Sequence, residues 1–193
     1  EPDAAKDLKA LGNDVRIVPL DVASADSVAA LVKSLGKQPI DLLINNAGVS
    51  SAHGKLEEFK MEDFEHVIQV NALGPVRVTQ ALLPNLRAGK GKMIVSISSG
   101  LGSITLNKQG GFYGYRESKA ALDMFMRSIA MELKDDGFIC IAMSPGWVKT
   151  DMGGANAQLE PADSISGMRK VIDGLKPEDT GKFWSHDGTM LEW

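Results

Sequence analysis

Segments typical of buried strands alternate with segments typical of amphipathic helices along most of the 193 residues, and this alternation limits the fold more than any other feature. Short β-branched or apolar runs predict strands at 15–20, 40–44, 92–97, 138–143 and 181–184. Apolar residues at helical spacing predict helices at 24–35, 62–86 and 115–133. Alternation of this kind implies an α/β fold, with a doubly wound, Rossmann-like parallel sheet between helices in three α/β/α layers. We predict one such domain over residues 1–193.

Composition excludes several classes of function. The net charge of −4 gives no basic field to attract nucleic acid or an anionic membrane. A single cysteine excludes an intramolecular disulfide, and His53, His66 and His186 lack ligand spacing, so we predict no metal site. The sequence has no apolar run of ~18 residues and no signal-peptide pattern, which predicts a cytoplasmic protein.

Small, polar and glycine-rich residues follow the predicted strands at four places. These corners are 21–22, 45–48, 98–100 and 144–146. In open sheets of this class, ligands bind outside the carboxyl ends of the strands. We therefore expect the functional residues at these four corners.

Tyr115 and Lys119 stand one turn apart on one face of a predicted helix. A phenol has a pKa of about 10, and a neighbouring ammonium favours the phenolate, so such a phenol can exchange a proton with a carbonyl or alcohol oxygen. Ser99 follows a strand and could polarise the same oxygen. Each feature also has a plainer interpretation: an exposed Tyr–Lys pair, and a serine that caps its own loop.

Asn71 lies within a predicted helix, four residues before Pro75. Because proline has no N–H, the carbonyl of Asn71 loses its usual helical hydrogen bond, and the helix should bend there. That carbonyl is then available to a water or a lysine. Alternatively, the Gly74–Pro75 pair only bends the helix for packing.

Four motifs in this order resemble the short-chain dehydrogenase/reductase family. They are Asn45-Asn46-Ala47-Gly48, Ser99, Tyr115-x-x-x-Lys119 and the run at 145–150. Residues 145–154 and the ending at 187–193 are similar to the C-factor and sniffer-type carbonyl reductases within that family.

The resemblance implies a role for each catalytic position. Tyr115 would be the general acid/base, and Lys119 would lower the Tyr115 pKa and hydrogen-bond the nicotinamide ribose. Ser99 would orient and polarise the substrate carbonyl. Asn71 would hold, through its main-chain carbonyl, a water that links Lys119 to solvent.

The resemblance also implies the partners of the protein. The adenine would be flanked by Asp21 and Val22. The adenosine ribose side would be contacted by Asn45, Ala47 and Gly48. The nicotinamide would be held by Tyr115, Lys119, Pro145, Gly146, Val148 and Thr150. The cofactor would be NADP or NAD, with NADP slightly favoured, the substrate a small carbonyl or alcohol compound, and the assembly a homodimer or homotetramer.

The sequence departs from the family pattern in two places. The glycine motif Thr-Gly-x-x-x-Gly-x-Gly and the second strand, whose end chooses between NAD and NADP, are absent, and residues 4–11 are typical of the middle of a helix. We therefore expect the sheet to lack its first βαβ unit and the chain to be a portion of a longer protein. Such a portion should neither fold well nor hold a dinucleotide well alone. The second departure is a long segment at 101–114, which we expect to wall the substrate pocket together with 151–166.

These observations predict an NAD(P)-dependent oxidoreductase that transfers a hydride between a nicotinamide and a carbonyl or secondary alcohol, with Tyr115 as general acid/base. The alternative is a catalytically weak dinucleotide-binding signalling or regulatory protein, similar to C-factor. A nucleotide-sugar epimerase is disfavoured, because little chain follows Thr150 to build a sugar-nucleotide domain.

Overall fold

The computed structural model describes residues 14–50 and 55–193, together with residues 5, 8, 10 and 12. The helix predicted at 4–11 falls largely outside these residues, and His53 lies outside them.

A parallel sheet forms the centre of the molecule. Within the described residues it has four strands in the order β1-β2-β3-β4. These strands are β1 Leu42–Asn45, β2 Met93–Ile97, β3 Ile139–Ser144 and β4 Phe183–Ser185. Each pairs in parallel with the next, for example through Ile94 opposite Cys140. Four of the five predicted strands are therefore confirmed, with bounds shifted by one or two residues.

The strand predicted at 15–20 is wrong, because in the described part of the chain this segment has no strand partner. Apolar β-branched residues favour a strand, but a strand forms only where a neighbour completes its hydrogen bonds. On that side β1 is the outer strand of the sheet, and its Leu42 and Ile44 are 38% and 45% exposed. The near-continuous apolar run at 40–44 is typical of a strand buried on both faces, but in the described part of the chain it is partly exposed.

Helices connect the strands and cover the sheet. They are α1 Ala25–Leu35, α2 Met61–Ile68, α3 Gly74–Ala88, α4 Tyr115–Glu132 and α5 Pro161–Asp173. The helix predicted at 62–86 is interrupted as expected, since a π-helical segment, Gln69–Leu73, separates α2 from α3. The last residues of the segment 151–166 form the first turns of α5, which begins with Pro161 at a position that needs no N–H donor.

Both faces of the sheet are buried, so the three-layer α/β/α architecture is confirmed. On one face, Ile94 and Cys140 pack against α1, α3 and α4, represented by Val28, Leu86 and Met126. The opposite face is covered by α5, and its core residues are Val95, Ile141 and Met143, packed by Met168, Val171 and Ile172. None of the helices in the described part of the chain combines the length and the apolar character that crossing a bilayer requires.

Replacement of leucine by alanine should destabilise the protein at a core position and have little effect at a surface position. Leu86 is a fully buried residue of α3, whereas Leu56 is 68% exposed. Leu86→Ala should lower the free energy of unfolding by about 2–5 kcal/mol through lost burial and a residual cavity. The same change at Leu56 should alter it by less than about 0.5 kcal/mol. Urea unfolding followed by circular dichroism measures both values, and equal midpoints for the two variants would contradict this packing.

Candidate active site

The carboxyl end of β2 and the beginning of α4 meet at one place. Lys119, one turn into α4, is buried, and its ammonium donates a hydrogen bond to the carbonyl of Ile97 at 2.7 Å. Ile97 is the last residue of β2, and Ser98 and Ser99 follow it directly. The lysine therefore fixes α4 on the strand end at which a ligand is expected in this class of sheet.

Tyr115 lies beside this lysine at the first position of α4, with its ring centroid 5.7 Å from Lys119 Nζ. Burial raises the pKa of the Tyr115 phenol, and the Ser99 hydroxyl opposes this shift by favouring the phenolate. The net direction differs from the expected lowering by Lys119, because desolvation of the phenol is the larger effect and the ammonium is engaged with the Ile97 carbonyl.

Ser99 has a second contact in addition to its action on the phenol. Its hydroxyl accepts a hydrogen bond from the Leu101 N–H at 3.1 Å and so caps the 3₁₀ turn Gly100–Gly102. Ser99 therefore both caps its own loop and acts on the Tyr115 phenol.

The side chain of Asn71 ties the active-site segments together. It is fully buried in the π-helical segment, accepts from the Val49 N–H at 2.8 Å and donates to the Val49 carbonyl at 2.8 Å. Its amide also donates to Ser118 Oγ at 3.0 Å, and that hydroxyl donates to the carbonyl of Tyr115 at 2.7 Å. Asn71 thus joins the loop after β1 to the beginning of α4.

This use of the Asn71 side chain was missed by sequence reasoning, which considered only its main-chain carbonyl. The available signal was an asparagine inside a helix, where that residue is mildly unfavourable and needs a compensating contact.

Gly48, in the loop after β1, lies beside Asn71 and Lys119. A Cβ atom added at Gly48 would lie 3.5 Å from Asn71 Oδ1 and 3.7 Å from Lys119 Nζ. The structure therefore brings together Ser99, Tyr115, Lys119, Asn71 and Gly48, which come from four separate segments of the sequence.

The loop after β3 is tied to the loop after β2. Ser144 Oγ accepts from the N–H groups of Gly100 at 3.3 Å and Gly146 at 3.4 Å. Gly146 has φ of 78°, and a Cβ atom there would lie 2.5 Å from Leu159, so only glycine suits this turn. The preceding Pro145 carbonyl accepts from Ser164 Oγ on α5 at 2.6 Å.

Further along this loop, Val148 and Thr150 belong to a compact turn. Val148 forms a parallel bridge with Leu159, and Thr150 Oγ1 accepts from the Gly153 N–H at 3.2 Å. The Trp147 indole closes the same turn by donating to the Gly153 carbonyl at 2.8 Å.

Asn45 and Ala47, two of the residues expected to contact the adenosine, differ in burial. Asn45 is buried and donates to Thr79 Oγ1 and Ser96 Oγ at 3.2 and 3.1 Å, so its side chain supports the sheet. Ala47 is exposed at the end of β1.

Asp21 and Val22 lie before α1. Asp21 is exposed, and its carboxylate accepts from the Ala23 N–H at 2.9 Å. Val22 packs on α3, where a Cβ atom added at Gly74 would lie 2.8 Å from Val22 Cγ2.

Arg116 holds the long segment 101–114 against α4, which sequence reasoning also missed. Its guanidinium is buried and donates to the carbonyls of Gly111 at 3.1 Å and Leu101 at 3.3 Å. It also lies over the Phe112 ring, 5.6 Å from the centroid. The segment is therefore attached at both ends to the residue that follows Tyr115.

Loss of the Asn71 amide should be costly. Asn71→Ala would leave the N–H and carbonyl of Val49 without these partners in a buried site, where each unsatisfied group costs about 1–3 kcal/mol. We expect the free energy of unfolding to fall by about 2–4 kcal/mol and the Val49 amide to exchange faster with deuterium. Asn107→Ala, at an exposed asparagine, is the control. Unchanged exchange at Val49 in a folded Asn71→Ala protein would contradict this role.

Comparisons with known sequences show the family of the chain. The sequence model for short chain dehydrogenase matches residues 2–160. The "C-signal" protein of Myxococcus xanthus is 47% identical over 155 residues, which cover 80% of this chain and 93% of that protein.

Two solved structures share the fold. The carbonyl reductase Sniffer of D. melanogaster superposes with a TM-score of 0.93 at 31% identity, covering 100% of this chain and 85% of that one. The NADPH-bound carbonyl reductase from chicken fatty liver gives a TM-score of 0.88 at 33% identity, covering 99% and 82%. With these matches, the chain belongs to the short-chain dehydrogenase/reductase family of oxidoreductases.

Proposed function

We propose that the protein is a carbonyl reductase that uses NADP(H) and acts on a small carbonyl compound or its secondary alcohol, with Tyr115 as general acid/base. The observation that carries the proposal is the convergence of Ser99, Tyr115, Lys119 and Asn71 at the carboxyl ends of β1 and β2. A bound nicotinamide would supply or accept the hydride.

The residues at these strand ends fit a dinucleotide. The Lys119 ammonium and the Tyr115 hydroxyl are donors suited to ribose hydroxyls, and the ammonium lies near both the Tyr115 ring and Gly48, which has no side chain to fill the space. Gly100 also has open space where a Cβ atom would be. The proposed nicotinamide contacts are Tyr115, Lys119, Pro145, Gly146, Val148 and Thr150. The proposed adenosine contacts are Asp21, Val22, Asn45, Ala47 and Gly48.

The preference for NADP over NAD rests on relatives. The chicken carbonyl reductase is described as NADPH bound, and we extend that choice to this chain.

The proton and the substrate would be handled by three side chains. Tyr115 would donate its phenolic proton to the oxygen of the reduced carbonyl, or accept one from an alcohol. Ser99, whose hydroxyl acts on the same phenol, would orient and polarise that carbonyl oxygen. Lys119 would hold the ribose hydroxyls and favour the phenolate through its charge. The Asn71 side chain would hold the loop after β1 in place against α4. Its main-chain carbonyl would hold a water beside Lys119.

A single domain over 1–193 would form a homodimer or homotetramer, and Met124 and Met131 on α4 are exposed apolar side chains suited to such an interface. We propose a cytoplasmic protein with neither nucleic acid nor a membrane as partner.

A signalling or regulatory dinucleotide-binding protein with weak turnover is the second candidate. The observation that favours it is the similarity to a protein named C-signal. A complete acid/base constellation favours the reductase instead, because a protein that only binds a dinucleotide has no need of it.

Removal of the phenolic hydroxyl should abolish most turnover. Tyr115→Phe should lower kcat by at least about 10²–10⁴-fold, because the general acid is lost. Binding of NADPH, measured by its fluorescence, should be largely kept. Tyr113→Phe is the matched control, since it retains the ring stacked on Phe59 and should lose far less activity.

The assay is NADPH oxidation with a panel of aldehydes, ketones and quinones. Equal rates for Tyr115→Phe and the unmodified protein would refute the assigned role of Tyr115. Binding of NADPH without oxidation across the whole panel would favour the signalling protein.

Replacement of Arg116 should impair use of the carbonyl substrate more than binding of the cofactor. Arg116→Ala removes the hydrogen bonds that hold Leu101 and Gly111, so the proposed pocket wall should lose its order. We expect kcat/KM for the carbonyl substrate to fall about tenfold or more, with little change in the KM for NADPH. Arg169→Ala, on the exposed surface of α5, is the control. A variant with normal kcat/KM for the substrate would contradict this role of Arg116.

A further inference from the structure

Helix α4 contains a buried carboxylate that the proposed reaction does not use. Asp123 lies one turn after Lys119, and each of the two residues is only 4% exposed. In the described part of the chain neither Asp123 oxygen has a hydrogen-bond partner, and the same holds for the buried Ser98 hydroxyl. A buried carboxylate without hydrogen bonds is costly unless a nearby opposite charge compensates it.

The backbone of the Gly100–Gly102 turn packs directly against this pair. A Cβ atom added at Gly102 would lie 2.8 Å from Asp123 Oδ2 and 2.8 Å from Lys119 Cβ. The turn is the one that Ser99 caps, so Asp123 and Lys119 are enclosed beneath a segment of the active site. Enclosure by protein backbone limits screening by water, and the attraction between the two charges is correspondingly stronger.

Few other ionisable groups act on the pair. The turn Gly100–Gly102 and the segment Gln69–Leu73 contain none. From β3 comes the Cys140 thiol, whose pKa burial raises to about 12, so it stays neutral. The remaining ionisable side chains of the elements packed here are exposed or have other partners, and they are Glu62, Asp63, Glu65 and His66 on α2 and Arg116, Glu117, Arg127 and Glu132 on α4.

We propose that Asp123 is a positioning residue, whose enclosed carboxylate, one helical turn away, keeps the buried ammonium of Lys119 charged while that ammonium holds the Ile97 carbonyl beside Tyr115. Its effect on the reaction rests on the proposed reductase function, whereas its effect on the charge of Lys119 does not. The Asp123 carboxylate makes no hydrogen bond to Tyr115 or Ser99, so it acts through Lys119.

The electrostatics of the two groups agree with this pairing. Burial lowers the pKa of Lys119 to about 8, and the charge of Asp123 opposes that shift. Burial raises the pKa of Asp123 to about 7, and the Ser98 hydroxyl, close enough to act but without a normal hydrogen bond, and the charge of Lys119 both oppose it. Because each charge supports the other, removal of one must move the pKa of the other further from its usual value.

Asp123→Asn tests the pairing directly. Without the carboxylate, Lys119 should lose its proton at a pH lower by about one unit or more, a tenfold or greater change in its proton affinity. The measurement is the titration of the Lys119 Cε resonance in protein carrying ¹³C-labelled lysine, assigned by its absence in Lys119→Arg. Asp136→Asn, the same change at an exposed carboxylate paired with Arg87, should leave this titration unchanged. An unchanged Lys119 midpoint in folded Asp123→Asn would overturn the proposal.

The reverse substitution keeps the test decisive if Asp123→Asn does not fold. Lys119→Met should raise the pKa of Asp123, read from its ¹³C carboxyl resonance, and an unchanged value would also overturn the pairing.

Activity tests the positioning role separately. If the protein reduces carbonyls, the alkaline limb of kcat/KM in Asp123→Asn should move to lower pH together with the Lys119 titration, while the Asp136→Asn profile stays in place. A shifted Lys119 titration with an unmoved alkaline limb would overturn the role in positioning. If no carbonyl is reduced, the proposed function fails, and the two resonances still decide the pairing.

Discussion

The contacts of the Asn71 side chain are the constraint on which the rest of the site depends. One buried amide binds both main-chain groups of Val49 and the hydroxyl of Ser118, which in turn holds the carbonyl of Tyr115. The π-helical segment places this amide inside the molecule rather than on a helix surface. The loop after β1 and the beginning of α4 therefore have a fixed relation before any ligand is considered.

Burial gives this arrangement its electrostatic character. Lys119 and Asp123 are enclosed between α4 and the turn after β2, and Tyr115 lies at the margin of the same region. Removal from water disfavours the charged form of each of these groups and is the main cause of their shifted pKa values, which the nearby serine hydroxyls and the charges of Lys119 and Asp123 oppose to a smaller extent. A site built in this way can adjust the acidity of a phenol through burial and nearby polar groups.

Much of the fold could be predicted from the sequence because the buried strands are short apolar runs, as at 92–97 and 138–143. The failure at 15–20 has a physical reason, since composition favours a strand but cannot provide its neighbour. In the site, Tyr115 and Lys119 were found through their spacing on one helix. The roles of Arg116 and of the Asn71 side chain were not found, because they depend on contacts with Leu101, Gly111 and Val49, which no periodicity connects to them.

Gly102 has a consequence for any attempt to evolve the substrate range of this protein. Libraries aimed at the pocket would naturally include the segment after β2, where most positions are open to variation. At Gly102 even a methyl group would meet both Lys119 and Asp123, so α4 would have to move away from the sheet to admit it. Substitutions at this codon would therefore displace Lys119 together with α4. Useful variation lies further along the loop.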